Sequence, residues 1–428
     1  FTQKSARGSM HIFLFTLYYP LAEVNEIFLE EELRCAAEIE GTDITVVPFK
    51  QRKNELRTIP SQFTLDTTIA RRVAHFSLRT ICKILCRAVF WRFLVVDLIP
   101  DLFRHARLPK KLIARFLRAL YISDYLIAQY RLHKSTTNFV CYSYWCDEAV
   151  SGFYLAQQRE PRLAKSLKIA RLHRWEIREP SYFFPFRSKA LTVLDYILAV
   201  SHQGRDEFCQ HYPALAQRIS CFYLGVAEVA PARQQFTHTS ECSEFVSCSI
   251  LRPVKRVNLI YELLVAYAEL FPSRTFHWVH FGGGDALNTL RSQVKHAPHN
   301  LRVELRGATD NTIVRNYLRT ANAAIFLNMS EHEGLPISIQ EALSASMPVI
   351  ATRAGGTPEA VDNTTGALLS LHPTVIEFAE AVQQIETDYL TYAHAARKRF
   401  EERFQSKENF RKFYTFVQTA LDEKQQIS

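Results

Sequence analysis

The sequence predicts an α/β fold made of two parallel-sheet units. From Met10 onward, short apolar runs alternate with longer amphipathic stretches, and strands that alternate with helices favour a parallel sheet covered on both faces. The alternation stops at a polar tract without periodicity over residues 226–244 and restarts after it. We therefore expect a first unit over residues 10–225, a linker over 226–244 and a second unit over 245–400.

Six short apolar runs are the strand candidates of the first unit. They are HIFLFTL (11–17), DITVVPF (43–49), FVCYSY (139–144), LKIARLH (167–173), YILAV (196–200) and SCFYL (220–224). The clearest helical periods between them cover residues 23–37 and 108–131. In folds of this kind, ligands bind where the carboxyl ends of the strands open into a crevice.

The second unit repeats the pattern with five strand candidates. They are EFVSCSI (244–250), FHWVHF (276–281), RVEL (302–305), AAIFL (323–327) and PVIAT (348–352). Helices are predicted over residues 258–270 and 337–345, and the stretch 377–424 has helical periodicity throughout.

Composition excludes several classes of protein. Hydrophobic residues make up 47% and charged residues 22% of the 428 residues, which is ordinary globular usage and excludes a disordered chain, a collagen-like repeat and a coiled coil. No segment reaches about 18 uncharged apolar residues, so no transmembrane helix is predicted. The first nine residues, FTQKSARGS, fit no structural pattern, and we interpret residues 1–9 as a remnant of an expression tag.

The nine cysteines indicate a reducing compartment. Their number is odd, none has zinc-like paired spacing, and the two close pairs, Cys82/Cys86 and Cys141/Cys146, lie in apolar or aromatic surroundings. Buried free thiols are therefore expected rather than disulfides or a metal site, and the predicted location is the cytoplasm.

The net charge of +9 is concentrated in one stretch. Residues 51–130 hold 15 Lys and Arg against 5 Asp and Glu, interleaved with the aromatic residues Phe90, Trp91, Phe93, Phe103, Phe116 and Tyr121. One interpretation is a basic surface that contacts an anionic membrane or grips an anionic acceptor. The alternative is a run of amphipathic helices whose solvent faces are basic. No nucleic-acid motif accompanies the charge, so no nucleic-acid partner is predicted.

The most informative segment is FLNMSEHEGLPISIQEALSASMPVIATRAGGTPEAV, at residues 326–361. A strand leads into a loop, and Pro336 then opens a helix. Free N–H groups among residues 335–338 would bind an anion such as a diphosphate. A carboxylate cannot serve that purpose, so Glu333 before the helix and Glu341 one turn further on suit sugar hydroxyls. Two solvated glutamates at a helix start are the alternative.

This segment resembles the signature of retaining glycosyltransferases with the two-lobed GT-B architecture, of the group-1 type (family 4-like) that carries Glu, seven residues and Glu. Glu333 and Glu341 have that spacing, and GLP, EALSASMPVIAT and GGTPEAV follow the family pattern in order. The resemblance implies that Glu333 contacts the donor sugar and Glu341 the nucleotide ribose. It adds the loop at the helix start to the donor site, with the candidates Gly334, Leu335, Pro336 and Ile337.

The same resemblance implies an architecture. Two Rossmann-like lobes would face a central cleft, and the C-terminal helix over residues 401–428 would return to the first lobe. Its apolar contacts are expected from four residues at helical spacing, Phe410, Phe413, Tyr414 and Val417.

Cations for the donor diphosphate are expected after the first strand of the second lobe. The family has a lysine there, and SCSILRPVKRV (247–257) provides Lys255, whose charge would stabilise the leaving group. Many members also carry an arginine five residues before that lysine, where this chain has Ile250. Arg252 or Arg256 is therefore expected to substitute for it.

Two further loops of the second lobe are assigned by the resemblance. HFGGGD (280–285) would let backbone approach the nucleotide at Gly282 and Gly284, although a glycine after a strand more often marks only a turn. RGATDN (306–311), which begins with Arg306, follows the next strand and matches the segment that contacts the base through its backbone.

In the first lobe, ARLHRWEIREP (170–180) resembles the family's Arg-x-His segment. The resemblance implies that His173 reaches the donor sugar, supported by Glu176 or Arg171. The loop LYYPLAEVNE (17–26) lacks the paired glycines that many members place beside the donor phosphate, so its candidates belong to the acceptor side: Tyr18, Tyr19 and Glu23.

The implied activity is retaining, metal-independent transfer of a hexosyl unit from a nucleotide diphosphate sugar. A UDP-sugar is favoured over a GDP-sugar, and the acceptor would be a glycan or lipid-linked molecule in cell-surface polysaccharide synthesis, such as lipopolysaccharide. No metal cofactor is expected, since no Asp-x-Asp follows a strand and Lys255 with the helix terminus carries the charge. The alternatives are a GT-B sugar-nucleotide epimerase or hydrolase and a non-catalytic sugar-nucleotide-binding protein.

Overall fold

The computed structural model describes most of the chain. The described residues are 10–21, 26, 28–51, 57–74, 91, 92, 95, 110–133, 138–177, 184–229, 244–321 and 324–427. The chain divides into two compact units. The first comprises Phe1–Val200, Gly204–Phe222 and Phe410–Ser428, and the second comprises Ser201–Gln203 and Tyr223–Asn409.

The first unit contains a sheet of seven parallel strands. They are β1 (Met10–Thr16), β2 (Thr42–Pro48), β3 (Thr64–Leu65), β4 (Phe139–Ser143), β5 (Leu167–Leu172), β6 (Tyr196–Ala199) and β7 (Ile219–Cys221). Their order across the sheet is β3-β2-β1-β4-β5-β6-β7, and every pairing is parallel. The central strands are continuous apolar runs because both faces of a parallel sheet are covered. All five residues of β4, for example, are buried.

Helices connect these strands. Those described are α1 (Phe28–Ala36), α2 (Thr68–Ala74), α3 (Lys110–His133), α4 (Glu148–Arg159), α5 (Arg174–Ile177), α6 (Arg187–Leu191) and α7 (His202–His211). Helix α4 begins where the Asp147 side chain accepts a hydrogen bond from the Ala149 N–H at 3.0 Å, an ordinary N-cap. Two short 3₁₀ segments, Pro161–Lys165 and Pro213–Arg218, also lie among the described connections.

The second unit contains a sheet of six parallel strands. They are β8 (Glu244–Cys248), β9 (Phe276–Phe281), β10 (Leu301–Gly307), β11 (Ile325–Asn328), β12 (Val349–Thr352) and β13 (Gly366–Leu369), in the order β10-β9-β8-β11-β12-β13. Successive residues of β8 pack on opposite faces, since Phe245 belongs to one apolar cluster and Val246 to the other. The sheet therefore has a core on each side, as the sequence predicted.

The helices of the second unit lie between and after these strands. They are α8 (Val257–Leu270), α9 (Leu287–Val294), α10 (Asn311–Thr320), α11 (Ile337–Ser344), α12 (Thr357–Ala360), α13 (Val375–Thr387) and α14 (Tyr389–Arg403). A last helix, α15 (Ser406–Ile427), begins in the second unit and belongs to the first from Phe410 onward. Its four predicted contact residues are all buried, which confirms their apolar role: Phe410, Phe413, Tyr414 and Val417.

Both sheets change strand order at one point, and this positions the functional loops. In the first unit the chain moves outward from β1 to β3 and resumes on the other side of β1 with β4; in the second unit the same reversal separates β8 from β11. Loops that leave neighbouring strands in opposite directions open a crevice at their carboxyl ends, which is where ligands of such sheets bind.

Several predictions of local structure need correction. Strands β3 and β13, of two and four residues, were not predicted, and α1 begins at Phe28 rather than at residue 23. The start of the expected linker is packed structure, since Val226 forms a β-bridge with Gln405 and the Val229 N–H donates to the Ser344 hydroxyl at 2.6 Å.

Other predictions remain open. Residues 230–243 of the linker lie outside the described residues, as do residues 1–9 and three of the cysteines, Cys82, Cys86 and Cys242. The six described cysteines are free thiols. Among the described helices, each is too short or too polar to cross a lipid bilayer.

The basic stretch is described only in part, and that part is not simply a surface. Phe116 is fully buried and Tyr121 packs against the same core, so neither contributes to a basic aromatic surface. Both belong to the apolar face of α3, which packs on the core of the first unit. Trp91, by contrast, is 55% exposed.

A buried charged cluster ties α15 to the first sheet. The fully buried Glu32 of α1 accepts from the hydroxyls of Tyr142 at 3.1 Å and Tyr414 at 3.4 Å. The guanidinium of Arg171 lies 3.6 Å from the same carboxylate oxygen and stacks over Phe413 at 4.7 Å. Burial raises the pKa of Glu32, and Arg171 opposes that rise. Because a buried carboxylate needs a counter-charge, this pair holds α1, β5 and α15 in one arrangement.

We expect Arg171→Met to lower the free energy of unfolding by about 3–5 kcal/mol, because it leaves Glu32 buried without its counter-charge. The double variant Glu32→Gln/Arg171→Met should recover part of that loss. Urea unfolding followed by circular dichroism measures both. Arg162→Met is the matched control, since that side chain is 68% exposed. Equal losses for Arg171→Met and Arg162→Met would contradict a stabilising role for the cluster.

Candidate functional site

In the second unit, the loops that follow β8 and β11 bring Lys255 and Glu333 together. The Lys255 ammonium lies 2.6 Å from Oε1 of Glu333, and the Ser330 hydroxyl donates to the same oxygen at 2.6 Å. Glu333 is buried, whereas the Lys255 side chain is 24% exposed. The two residues are 78 positions apart in the sequence, and they meet because β8 and β11 are neighbours at the change of strand order.

Arg256 fixes the loop that carries Lys255. Its backbone is left-handed, with φ of 44°, and its guanidinium donates to the carbonyls of Met329 at 2.7 Å, Ser330 at 3.1 Å and Leu371 at 2.6 Å. Burial lowers its pKa. The structure thus places Arg256 on backbone carbonyls that follow β11 and β13, while Arg252 is exposed. Of the two candidates for the second cation, Arg256 is engaged in holding the loop.

The amino end of α11 lies beside this pair. Pro336 is the residue before the helix rather than its first residue, and the first intrahelical bond runs from the Gln340 N–H to the Pro336 carbonyl. The N–H groups of residues 337–339 therefore have no acceptor within the helix and carry its positive partial charge. Leu335 is buried below them, and Ile337 is partly buried.

Gly334 is held in place by a close contact with the loop after β12. A Cβ on Gly356 would lie 1.9 Å from the carbonyl oxygen of Gly334, so only glycine fits at Gly356. The Gly356 N–H also donates to the Glu333 carbonyl at 3.4 Å. The GGT part of the motif therefore has a structural reason: it packs the Glu333 loop.

Glu341 is buried in α11 and faces α10. The Asn311 amide donates to its Oε1 at 3.0 Å. Burial raises the pKa of Glu341, while the Asn311 hydrogen bond and the charge of Arg315 oppose the rise. Asp310, whose side chain accepts from the Thr312 N–H at 2.8 Å, caps α10 and so fixes Asn311.

The glycine loop after β9 supports the Lys255 loop. Gly282 has φ of 142°, and a Cβ there would lie 1.8 Å from the Ser249 carbonyl oxygen. The Leu251 N–H donates to the Gly283 carbonyl at 2.9 Å, and a Cβ on Gly284 would also meet the backbone of Leu251. These glycines thus let two protein loops approach each other, and their approach to a nucleotide stays a prediction.

Arg306, at the end of β10, is exposed. It pairs with Glu304 at 3.1 Å and lies over the ring of Tyr317 at 4.8 Å. Arg306 therefore contacts neighbouring side chains of its own unit, and these contacts do not involve Lys255 or Glu333.

In the first unit, His173 follows β5 and is enclosed by aromatic rings. Its ring centroid lies 4.3 Å from that of Trp145, 5.1 Å from Tyr144 and 5.9 Å from Phe28. Both ring nitrogens are buried without a hydrogen-bond partner among the described residues. Oε1 of Glu176 lies 3.8 Å from Nδ1 of the ring. An imidazole so enclosed has donor or acceptor capacity left for a ligand.

The structure places the Arg171 side chain in the Glu32 cluster, and the other predicted support of His173, Glu176, stays a candidate. The structure also places Tyr19 inside the first unit. Tyr19 is fully buried and its hydroxyl donates to the Thr58 carbonyl at 2.7 Å, which makes it a core residue. Tyr18 is partly exposed and stays a candidate, and Glu23 lies outside the described residues.

Sequence analysis missed Glu26, which closes the loop after β1. Its carboxylate accepts from three consecutive backbone N–H groups, those of Leu17 at 2.9 Å, Tyr18 at 2.8 Å and Tyr19 at 2.7 Å, and from the Trp145 indole at 2.5 Å. Successive N–H groups of this kind form a concavity that binds anions. Here the anion is part of the chain. The backbone of Glu26 is left-handed, with φ of 63°, and no residue pattern around Glu26 predicts that conformation.

Other residues missed from the sequence are Ser330 and Asn311, which hold the two glutamates. Ser330 lies three residues before Glu333, and that spacing is a signal that could have found it. Asn311 is 30 positions from Glu341 on another helix, so local sequence gives no signal for that contact. Together, the second unit offers a cation and helix N–H groups for an anion and two carboxylates for hydroxyl donors. That combination can bind a molecule carrying both phosphates and sugars.

Residues 230–406 match the family described as glycosyl transferases group 1. One subunit of the phosphatidylinositol N-acetylglucosaminyltransferase of Arabidopsis thaliana is 36% identical over 107 residues, which cover 24% of this chain and 23% of that protein. N-acetyl-alpha-D-glucosaminyl L-malate synthase of Bacillus anthracis is 28% identical over 179 residues, 41% of this chain and 45% of that protein. The chain thus spans less than half the length of the curated relatives it matches.

Solved structures are similar over nearly the whole chain. The apo form of the lipopolysaccharide outer core galactosyltransferase WaaB has a TM-score of 0.65 at 12% identity, covering 96% of this chain and all of that one. Anabaena HepE in complex with UDP has a TM-score of 0.61 at 15% identity, with the same coverage. TarM of S. aureus, in complex with fondaparinux, alpha-GlcNAc-glycerol and UDP, has 0.64 at 12%, covering 95% and 99%. At these identities the likeness shows the fold, and the predicted GT-B class is confirmed.

We expect Glu26→Gly to lower the free energy of unfolding by about 2–3 kcal/mol, because three loop N–H groups lose their acceptor. Glycine is chosen because it tolerates the positive φ at this position. Added acetate should raise the melting temperature of the variant more than that of the unaltered protein, since it can refill the concavity. Glu40→Gly, at an exposed site, is the control. If acetate has the same effect on all three proteins, the concavity does not bind an anion.

Proposed function

We propose that the protein transfers a hexosyl unit from a nucleotide diphosphate sugar to a glycan or lipid-linked acceptor, and the match of residues 230–406 to the glycosyl transferases group 1 family supports this. The observation that carries the proposal is the Lys255–Glu333 ion pair beside the open amino end of α11. A cation and a carboxylate in contact suit a ligand that presents a phosphate and a sugar hydroxyl side by side.

The donor would exchange one set of partners for another. Without donor, Lys255 and Glu333 neutralise each other in a partly buried position. With donor, the ammonium and the N–H groups at the start of α11 take the diphosphate, and Glu333 is released to accept from the sugar hydroxyls. Glu341, held by Asn311, accepts from the ribose. One phosphate charge thus replaces the Glu333 carboxylate beside Lys255, which limits the cost of desolvation.

Transfer proceeds with retention in this proposal. The acceptor oxygen attacks the anomeric carbon on the face from which the phosphate departs, and a phosphate oxygen takes the acceptor proton. Lys255 and the helix N–H groups stabilise the negative charge that grows on the leaving diphosphate. His173, whose ring nitrogens have no hydrogen-bond partner among the described residues, keeps the sugar-contacting role that the resemblance predicts. These groups supply the charge stabilisation without a metal cofactor.

The names of similar proteins suggest which donor to test first. The names of both curated relatives include an N-acetylglucosaminyl group. The HepE and TarM structures are complexes with UDP. UDP-N-acetylglucosamine is therefore the first donor to test. The same two relatives are named for phosphatidylinositol and L-malate, both of which are anionic molecules. Synthesis of a cell-surface polysaccharide in the cytoplasm, with the exposed residues of the basic stretch 51–130 against an anionic membrane, remains the proposed setting.

We expect UDP and UDP-N-acetylglucosamine to raise the melting temperature of the protein, and EDTA to leave that rise unchanged. Glu333→Gln should reduce UDP release from UDP-N-acetylglucosamine by about 10²–10³-fold because the residue contacts the sugar. The affinity for UDP should be equal or higher, because the diphosphate no longer has to displace this carboxylate from Lys255. Glu331→Gln, whose side chain is 53% exposed, is the control. Equal loss of UDP binding and UDP release in Glu333→Gln would contradict the assigned role.

Affinity for UDP-N-acetylglucosamine should fall as the pH is lowered through the raised pKa of Glu341, above the ordinary value of 4.5. The sign follows because the ionised carboxylate can accept hydrogen bonds from two hydroxyl groups, whereas the protonated acid has lost part of that capacity. Protonation of Glu341 therefore opposes binding. This donor has no phosphate monoester to titrate in that range. Glu341→Gln should bind about tenfold more weakly at neutral pH and lose this part of the slope. Calorimetric titrations across the range check it, and an identical slope in both proteins would refute it.

A further inference from the structure

A series of contacts in the first unit ends at His173. The strands β1, β4 and β5 are neighbours in the sheet, and one residue of the series follows each of them: Glu26 in the loop after β1, Trp145 two residues after β4, and His173 directly after β5. The Trp145 indole donates to the Glu26 carboxylate at 2.5 Å, and its ring centroid lies 4.3 Å from that of His173. Three loops that are distant in sequence are thereby joined at the carboxyl edge of the first sheet.

The orientation of the His173 imidazole depends on the rings that surround it. Neither of its nitrogens has a hydrogen-bond partner in the described parts of the chain, and its side chain is 10% exposed. The terminal torsion of a histidine is broad, so an imidazole without such a bond keeps one orientation only through the groups packed against it. Trp145 is nearer than the other two rings, Tyr144 at 5.1 Å and Phe28 at 5.9 Å. The indole therefore contributes most to the orientation of the imidazole.

Hydrogen bonds fix Trp145 in turn. The residue is partly exposed, so packing covers only part of its ring. Its indole N–H is bound to a carboxylate, and a hydrogen bond to a charged acceptor is about twice as strong as one between neutral groups. Its backbone is fixed as well, because the Trp145 carbonyl accepts from the Ser143 hydroxyl at 2.5 Å and from the Asp147 N–H at 2.8 Å. Trp145 thus has a defined position beside His173.

Glu26 is a rigid acceptor for the indole. The residue is buried, and its carboxylate accepts from three backbone N–H groups of the loop after β1. Its Oε1 accepts from both the Leu17 N–H and the Trp145 indole. Phe28, two residues further along the chain, carries another of the rings around His173. The loop that Glu26 organises therefore positions two of the three rings.

We propose that Glu26 and Trp145 are positioning residues for glycosyl transfer. Glu26 fixes the indole, and the indole fixes the imidazole of His173 in the orientation that contacts the transferred sugar. This inference rests on the proposed function and adds two residues to it, which act through His173 and not on the donor. Because a contact group displaced by about 1 Å can cost about 10²-fold in rate, the effect is expected on kcat and not on nucleotide affinity.

We expect Trp145→Phe, in the full chain, to lower kcat for UDP release from UDP-N-acetylglucosamine by about 10- to 10²-fold and to leave KM and the affinity for UDP nearly unchanged. Phenylalanine keeps an aromatic ring at this position but has no N–H for Glu26. Glu26→Gln, which leaves a neutral and weaker acceptor, should lower kcat by less. Trp175→Phe is the matched control and should keep kcat, since Trp175 lies two residues after His173 and is 58% exposed.

A double variant separates positioning from general stability. His173→Ala removes the imidazole, so Trp145→Phe added to it should change kcat by less than about twofold. A tryptophan that only stabilised the unit would cost the same factor in both backgrounds, and such additive losses would overturn the inference. An unchanged kcat in either Trp145→Phe or His173→Ala would overturn it as well.

The hydrogen bond between Glu26 and Trp145 is measured independently by NMR of protein labelled with ¹⁵N-tryptophan. The four tryptophans give four indole N–H signals, and the one that Trp145→Phe removes belongs to Trp145. That signal should shift in Glu26→Gln more than the other three, and equal shifts would contradict the bond. UDP release and the UDP-induced rise in melting temperature of the unaltered protein are measured alongside. Absence of both refutes the proposed function and this inference with it, whereas their presence with a Trp145→Phe that behaves like the control refutes the positioning role alone.

Discussion

The contact between Lys255 and Glu333 is the interaction on which the site of the second unit depends. A carboxylate with so little exposure is costly unless a cation and hydrogen bonds accompany it, and Lys255 and Ser330 provide them. The pair exists because β8 and β11 are parallel neighbours whose loops leave in opposite directions. Arg256 then fixes both loops, because the residue belongs to the loop after β8 and its guanidinium donates to carbonyls of the loop after β11.

The two units use the same topology with opposite electrostatic results. In the second unit, the N–H groups at the start of α11 have no acceptor within their helix and offer positive charge to a ligand. In the first unit, three backbone N–H groups of the loop after β1 donate to the carboxylate of Glu26. A shared strand order therefore does not by itself decide whether backbone N–H groups are left for a ligand, because one acidic side chain can take them.

The sequence predicted those features that depend on neighbouring residues. Apolar runs predicted eleven strands, because a strand buried on both faces is itself a continuous apolar run in the sequence. Motif spacing predicted the positions of Glu333 and Glu341. Strand β3 has only two residues and β13 four, too few for a periodic signal. The Glu26–Trp145 hydrogen bond joins residues 119 positions apart, and the Glu32–Tyr414 contact spans 382. Contacts of that range depend on topology and cannot be found from local pattern.

Charge was the property most easily misinterpreted from the sequence. Basic residues between 51 and 130 suggested a surface, yet Arg115 and Arg118 point to a buried glutamate, and Arg171 has a buried partner too. The reason is general to parallel sheets: their carboxyl ends gather loops from distant parts of the chain, so a carboxylate from one loop can draw cations from a helix far away in sequence. Counting charges along the chain measures the excess, whereas the strand order decides which of those charges can meet a ligand.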